Sequence, residues 1–137
     1  LKLRVFVAAL AAALVAVGAA SSGNHPLLTG SFKTIIGDKT SRLNGTWVLK
    51  IDRLGQSTIS KNGRIVVKGA VAAGLGHFQI TDASGPVACK GVQASGAYTY
   101  TLKGNQLALK VGFDQCSGRK TILTARPLTR IASPSAP

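Results

Sequence analysis

The residues of this chain that can do chemistry are few and unevenly typed. Cys89 and Cys116 are its cysteines, its acids are Asp38, Asp52, Asp82 and Asp114 with no Glu, and its histidines are His25 and His77. In an exported protein two cysteines most often pair. A Cys89–Cys116 bond would close a loop of about thirty residues, worth roughly 3.5 kcal/mol in the chain-entropy account. A redox pair would want Cys-x-x-Cys, and a metal site would want more His or Cys close by. Acid–base catalysis needs convergent titratable groups, yet each aspartate lies at or near an expected turn, and Asp52 and Asp82 are read as turn caps. Asp114 and Arg119 are spaced for a local ion pair that braces the disulfide loop. His77 opens a strand with parity opposite to Phe78 and is expected to face solvent. No Ser/His/Asp order, phosphate-cradling glycine loop or metal-ligand spacing occurs, so neither an enzyme nor a cofactor or metal is expected.

The segments that must position these residues divide clearly. Lys2 and Arg4 precede an uncharged run from Val5 to Val17, and Gly18-Ala19-Ala20 supplies small residues for cleavage. That run falls short of the roughly 20 residues a membrane-spanning helix needs, so residues 1–20 read as a signal peptide. No Cys follows to carry a lipid anchor. The expected location is secreted, periplasmic or in the cell envelope. Residues 21–31 read as a flexible leading segment, 32–131 as one barrel domain and 132–137 as a disordered tail. Without Lys2 and Arg4 the seventeen basic residues become fifteen, against four aspartates, a net charge of about +11. That balance favours anionic partners, although it equally suits a basic surface with no specific partner.

Strand signals dominate the domain. Tyr98-Thr-Tyr-Thr-Leu102 and Leu107-Ala-Leu-Lys-Val-Gly-Phe113 flank Gly104-Asn105, a pair suited to a two-residue hairpin loop. Leu102 then faces Leu107, Tyr100 faces Leu109 and Tyr98 faces Val111, with all six on one side of the sheet. Asn62-Gly63 signals a second hairpin in which Ile59 would meet Val66. Ile65 and Val67 would then lie on the other face unless a bulge or shifted loop intervenes. Trp47, Leu49 and Ile51 alternate inward, as do Phe78 and Ile80, and Thr121–Ala125 reads as a late strand. Phe32–Ile36 reads either as a first strand or as a segment across the barrel mouth. No window shows sustained helical periodicity. The expected fold class is all-β: a small antiparallel up-and-down β-barrel of seven to eight short strands with one disulfide, closed so that no sheet edge is exposed.

Gly45-Thr46-Trp47 at the start of the first firm strand, followed by a meander of hairpins and a late strand near Arg126 and Arg130, resembles the calycins, the lipocalin-like barrels. The resemblance implies that Trp47 plugs the closed end of the barrel while an arginine from the last strand packs over its ring. Either arginine could match, and Arg126 is preferred because it follows directly on Ile122–Ala125. The chain is also similar to small exported bacterial barrels. The ordered set consists of Gly45–Trp47, Asn62–Arg64, Gly85–Cys89, Gly96–Tyr98 and Asp114–Arg119, within about residues 32–130. Trp47, Phe78, Tyr98, Tyr100 and Phe113 are expected to fill much of the interior.

The expected function is binding without catalysis. A small apolar or amphipathic molecule would sit in the barrel, lined by Leu49, Phe78, Tyr98, Tyr100, Leu107 and Leu109, with Trp47 at the base. The alternative is a basic module using Lys50, Arg64, Lys68 and Lys110 to hold an anionic envelope polymer or nucleic acid. A filled structural or inhibitor barrel presenting its loops is a third class. A monomer with no transmembrane segment is expected in each case.

Overall fold

A computed structural model describes residues 27–132; residues 1–20, read as a signal peptide, residues 21–26 of the expected leading segment and residues 133–137 of the expected tail lie outside them. Eight antiparallel strands run in chain order and close on themselves, as expected of a calycin-like barrel. They are β1 (Gly30–Ile36), β2 (Gly45–Ile51), β3 (Gln56–Lys61), β4 (Arg64–Gly74), β5 (His77–Ser84), β6 (Ser95–Lys103), β7 (Gln106–Asp114) and β8 (Leu128–Ile131). The first strand begins at Gly30, inside the segment read as flexible, and Leu28 and Ser31 are already buried. Closure is made by Ser31, Phe32 and Lys33 of β1 pairing with Ile131, Arg130 and Thr129 of β8. No helix among the described residues is long and apolar enough to cross a membrane.

Period-2 alternation sets the core. Trp47, Leu49 and Ile51 point inward from β2 and Phe78 and Ile80 from β5, where they meet Phe32, Ile59, Val71, Leu107 and Leu128. Two bulges decide what parity alone could not. In the β3–β4 hairpin Ile59 pairs with Val67 and Ser60 with Ile65, so Val66 is the extra residue. Both Val66 and Val67 are buried and Ile65 turns outward. In the β6–β7 hairpin the three expected pairs form, but Ala97 then pairs with Phe113, leaving Gly112 as the extra residue. The consequence is a reversal of face. Phe113, expected to fill the interior, is 61% exposed, and Asp114 is buried in its place. Val111, expected inward, remains 39% exposed.

The C-terminal region also departs from expectation. Thr121–Ala125 is not a strand: Ser117–Thr124 forms a helix, α1, which buries Arg119, Ile122 and Leu123. Those three residues fall at i, i+3 and i+4, one face of a helical turn, and the two apolar ones join the barrel core. The last strand follows it, at Leu128–Ile131.

Antiparallel up-and-down order sorts the connections between two ends. At one end lie the tight turns β2–β3, β4–β5 and β6–β7, together with Leu27–Thr29. At the other lie the β1–β2 loop, the Asn62-Gly63 turn, the β5–β6 loop and α1. Each tight turn at the first end is fastened to the strand that follows its hairpin. Val71 donates its amide to the Gly55 carbonyl (2.7 Å), Tyr100 to that of Gly76 (2.8 Å) and Arg130 to that of Asn105 (2.7 Å).

Candidate functional site

The end that carries α1 is closed by a buried polar cluster. Cys89, in the β5–β6 loop, is bonded to Cys116 at the helix start, with Cα atoms 6.1 Å apart. Two aspartates hold the amides of these cysteines: Cys89 N–H donates to Asp82 Oδ2 (2.8 Å) and Cys116 N–H to Asp114 Oδ1 (2.8 Å). Arg119 lies between them. Its Nε and Nη2 donate to Asp114 (2.8 and 2.7 Å), and its Nη1 lies 2.9 Å from Asp82 Oδ1. Nη1 and Nη2 also donate to the carbonyls of Ala94 (2.8 Å) and Gln93 (2.9 Å). The expected Asp114–Arg119 pair is present. Asp82, expected to cap a turn, is instead buried as the second partner of Arg119. Asp52 does cap its turn, accepting the amides of Leu54 and Gln56 (both 2.9 Å).

Tyr98 completes this cluster by donating its hydroxyl to Asp114 Oδ2. Gly96, paired with Asp114, makes the room, since a Cβ there would collide with the carboxylate and crowd the Tyr98 ring. Burial raises the Asp114 pKa, but the bonds from Arg119, Tyr98 and the Cys116 amide outweigh it and hold the carboxyl below its ordinary 3.8. Burial, then the bond to Asp114, pushes the Tyr98 hydroxyl well above its ordinary 10.0. Burial disfavours the Arg119 charge, yet the two carboxylates outweigh it and raise its pKa. Four of the five guanidinium N–H groups donate to protein oxygens and Nη1 also pairs with the Asp82 carboxylate, so this buried cluster braces the fold.

Trp47 lies toward this same end. Its Nε1 donates to the Leu43 carbonyl (2.7 Å), and Gly45, with φ of 143°, starts the strand beside the Asn62 side chain. The cation over the indole is not Arg126, which is exposed on the outer wall beside Lys33 and Thr129. Lys61 occupies that position, with Nζ 5.3 Å from the ring centroid and bonded to the Arg42 carbonyl (2.7 Å). β3 pairs with β2 and delivers Lys61 opposite Trp47, whereas β8 begins only at Leu128. The last-strand arginine that stacks is Arg130, and its ring is Phe32, 4.7 Å away.

The tight-turn end is open. A hollow of about 450 Å³ is lined there by Leu27, Leu28, Leu75, Tyr100, Leu102 and Arg130, together with Ala73, Gly74 and Gly76. Tyr100 stands edge-on to Phe78 at 6.4 Å, so one wall of the hollow rests on the packed core. Arg130 Nη1 donates to the Thr29 carbonyl (2.6 Å). Among the described residues its other guanidinium hydrogens have no protein acceptor. The site is therefore apolar walls with one cation at the rim.

Of the six expected lining residues, Tyr100 alone borders this hollow. Leu49, Phe78, Tyr98, Leu107 and Leu109 are packed in the core. The basic candidates also separate. Lys50 and Lys68 both pair with Thr58 and flank it on one outer face, above a depression of about 320 Å³ that Asp52 and Ile65 also line. Arg64 follows the Asn62-Gly63 turn at the far end, and Lys110 pairs with Thr99 on β7, well round the barrel. Leu27, Leu28, Leu75 and Lys61 were not expected as site residues, and Arg130 was expected only as the alternative partner for Trp47. A leucine between two glycines at 74–76 was the available signal, because a turn tip rarely needs an apolar side chain.

In comparison with known proteins, no family model, no curated protein and no solved structure matches the chain.

Proposed function

We propose that this is an exported, non-enzymatic binding protein of lipocalin-like form that holds a small apolar or amphipathic molecule in the mouth of its barrel. The observation that carries the reading is the 450 Å³ hollow with leucine and tyrosine walls and the Arg130 guanidinium at its rim. Its volume lies in the range that suits small ligands, about 300–1,000 Å³. The pairing of apolar wall with cation favours a ligand with an apolar chain and an anionic head, which guanidinium binds through charge-assisted hydrogen bonds. The closed eight-stranded order and Gly45-x-Trp47 support the calycin-like reading. The apolar run at residues 5–17 supports export.

A fluorescent long-chain carboxylate titrated into the protein tests this. Tyr100→Ala removes one aromatic wall and is expected to weaken the probe by about tenfold while the far-ultraviolet circular dichroism is unchanged. Equal affinity in the variant would remove the mouth from consideration. A second reading is favoured by one feature, the Lys50–Thr58–Lys68 row on the outer face. In that reading a sulfated polysaccharide binds instead of the carboxylate, and its affinity collapses with added salt.

A further inference from the structure

We propose that the tight-turn end of the barrel docks on an anionic lipid surface, with its leucine tips entering the headgroup layer. The tips are Leu54 in the β2–β3 turn, 85% exposed, Leu75 in the β4–β5 turn, 75% exposed, and Leu27 before β1, 67% exposed. They share one rim. Leu27 lines both the hollow that reaches Leu75 and a cleft formed with Asp52, Arg53 and Gly55 of the turn carrying Leu54. Ile35, Ile65, Val87, Val92 and Phe113 are exposed elsewhere on the barrel, but these three leucines are gathered on one rim beside a leucine-walled hollow, and such a cluster marks a surface that meets something apolar.

The Leu75 backbone argues that this exposure is not incidental. Leu75-Gly76 has φ values of 52° and 78°, nearly the same as Asn62-Gly63 with 50° and 82° at the other end of the barrel. Both are two-residue hairpin turns with positive φ at each central position, where Asn is favoured and leucine is strained. The same chain thus uses the relaxed residue at its stapled end and the strained, apolar one at its mouth. At 75% exposed, the leucine buries little of its side chain to offset that strain.

Charge selects the kind of surface. Arg53, Lys103 and Arg130 belong to the turns and strand ends of this rim. The acid at the rim, Asp52, has one carboxylate oxygen occupied by the Leu54 and Gln56 amides, whereas Asp82 and Asp114 are buried at the opposite end and Asp38 lies in the β1–β2 loop there. Leucines ringed by cations match the interface of a bilayer containing anionic lipid.

The inference does not rest on the mouth being a ligand site, because Leu54 lines no part of the hollow. The test is co-sedimentation with vesicles of phosphatidylcholine alone or mixed with phosphatidylglycerol. The protein is used without residues 1–20, whose apolar run would bind lipid by itself; the barrel closes within residues 30–131 and stays whole. The protein should sediment with the anionic vesicles and remain in solution with the neutral ones. L54Q should weaken partitioning by about tenfold, with carboxylate-probe affinity unchanged, and Y100A should do the reverse. L75N should weaken partitioning while raising the melting temperature, a combination that a purely structural role for Leu75 does not produce. Equal partitioning of L54Q and the parent overturns the proposal, as does equal binding to neutral vesicles. Concentration-dependent self-association that L54Q abolishes also overturns it, and assigns the rim to a second copy of the chain.

Discussion

Asp114 is where single-residue chemistry bears most on the fold, since it joins a tyrosine, an arginine and a disulfide cysteine at once. Its carboxyl titrates below 3.8 in the folded protein, so the stability it contributes is complete above that pH and is lost as pH falls through the lower, folded value. Tyr98 acts in the opposite direction. Its pKa is raised, so its contribution is complete below pH 10.0 and is lost as pH climbs toward the folded value. Urea midpoints measured across pH should therefore fall at both extremes. Asp114→Asn should flatten the acid limb and cost about 3 kcal/mol near neutrality, because Arg119 loses one of its two carboxylates. Tyr98→Phe should flatten the alkaline limb at a cost of about 1 kcal/mol. A parent protein whose acid limb persists unchanged in Asp114→Asn would show that the cluster is not what senses acid.

Among the elements, the β6–β7 hairpin was legible pair by pair, because Gly104-Asn105 fixed the loop and every apolar residue sorted to one side. What the sequence did not disclose was where the alternation breaks. Gly112 is a plausible strand residue, yet as a bulge it exchanges Phe113 for Asp114 and thereby builds the Arg119 cluster. The β3–β4 hairpin was half-legible: pairing Ile59 with Val66 put Ile65 and Val67 on the opposite face, but a bulge and a shifted loop were equally good remedies. Helix α1 was hidden by its composition and length. Thr121 and Ile122 are β-branched, and eight residues are too few to display a helical period. The core contribution of this helix is testable on its own. Leu123→Ala should cost about 2–5 kcal/mol in urea unfolding, as a fully buried leucine does, and a change within error would mean that α1 packs loosely on the barrel.

At the scale of the whole molecule the barrel is polar in the sense of having two unlike ends. One gathers the longer connections, the disulfide and the buried ions; the other consists of short turns with apolar tips. The cysteines and the Gly-x-Trp motif announced the first end. The second was not legible, because the expected lining came from strand parity, and parity cannot say how deep along a strand a residue sits. Leu49 and Tyr100 share an inward face, yet Leu49 is in the packed core and Tyr100 at the opening. Replacing both cysteines by alanine should lower stability by roughly 3.5 kcal/mol, read from unfolding in urea with the barrel's circular dichroism intact beforehand. A loss below about 1 kcal/mol would mean that the Arg119 cluster alone restrains the two connections.

The pairing of Ser31 with Ile131 has a practical corollary. Leu27 and Ala132, where the described chain starts and stops, flank the same opening. An affinity tag or fluorophore joined directly at Leu27 or Ala132 is therefore tethered beside the mouth, where it can obstruct the opening or report on whatever reaches it. A label on Lys39, in the β1–β2 loop at the opposite pole, leaves the opening clear. Where the handle is attached will decide which half of this molecule an assay observes.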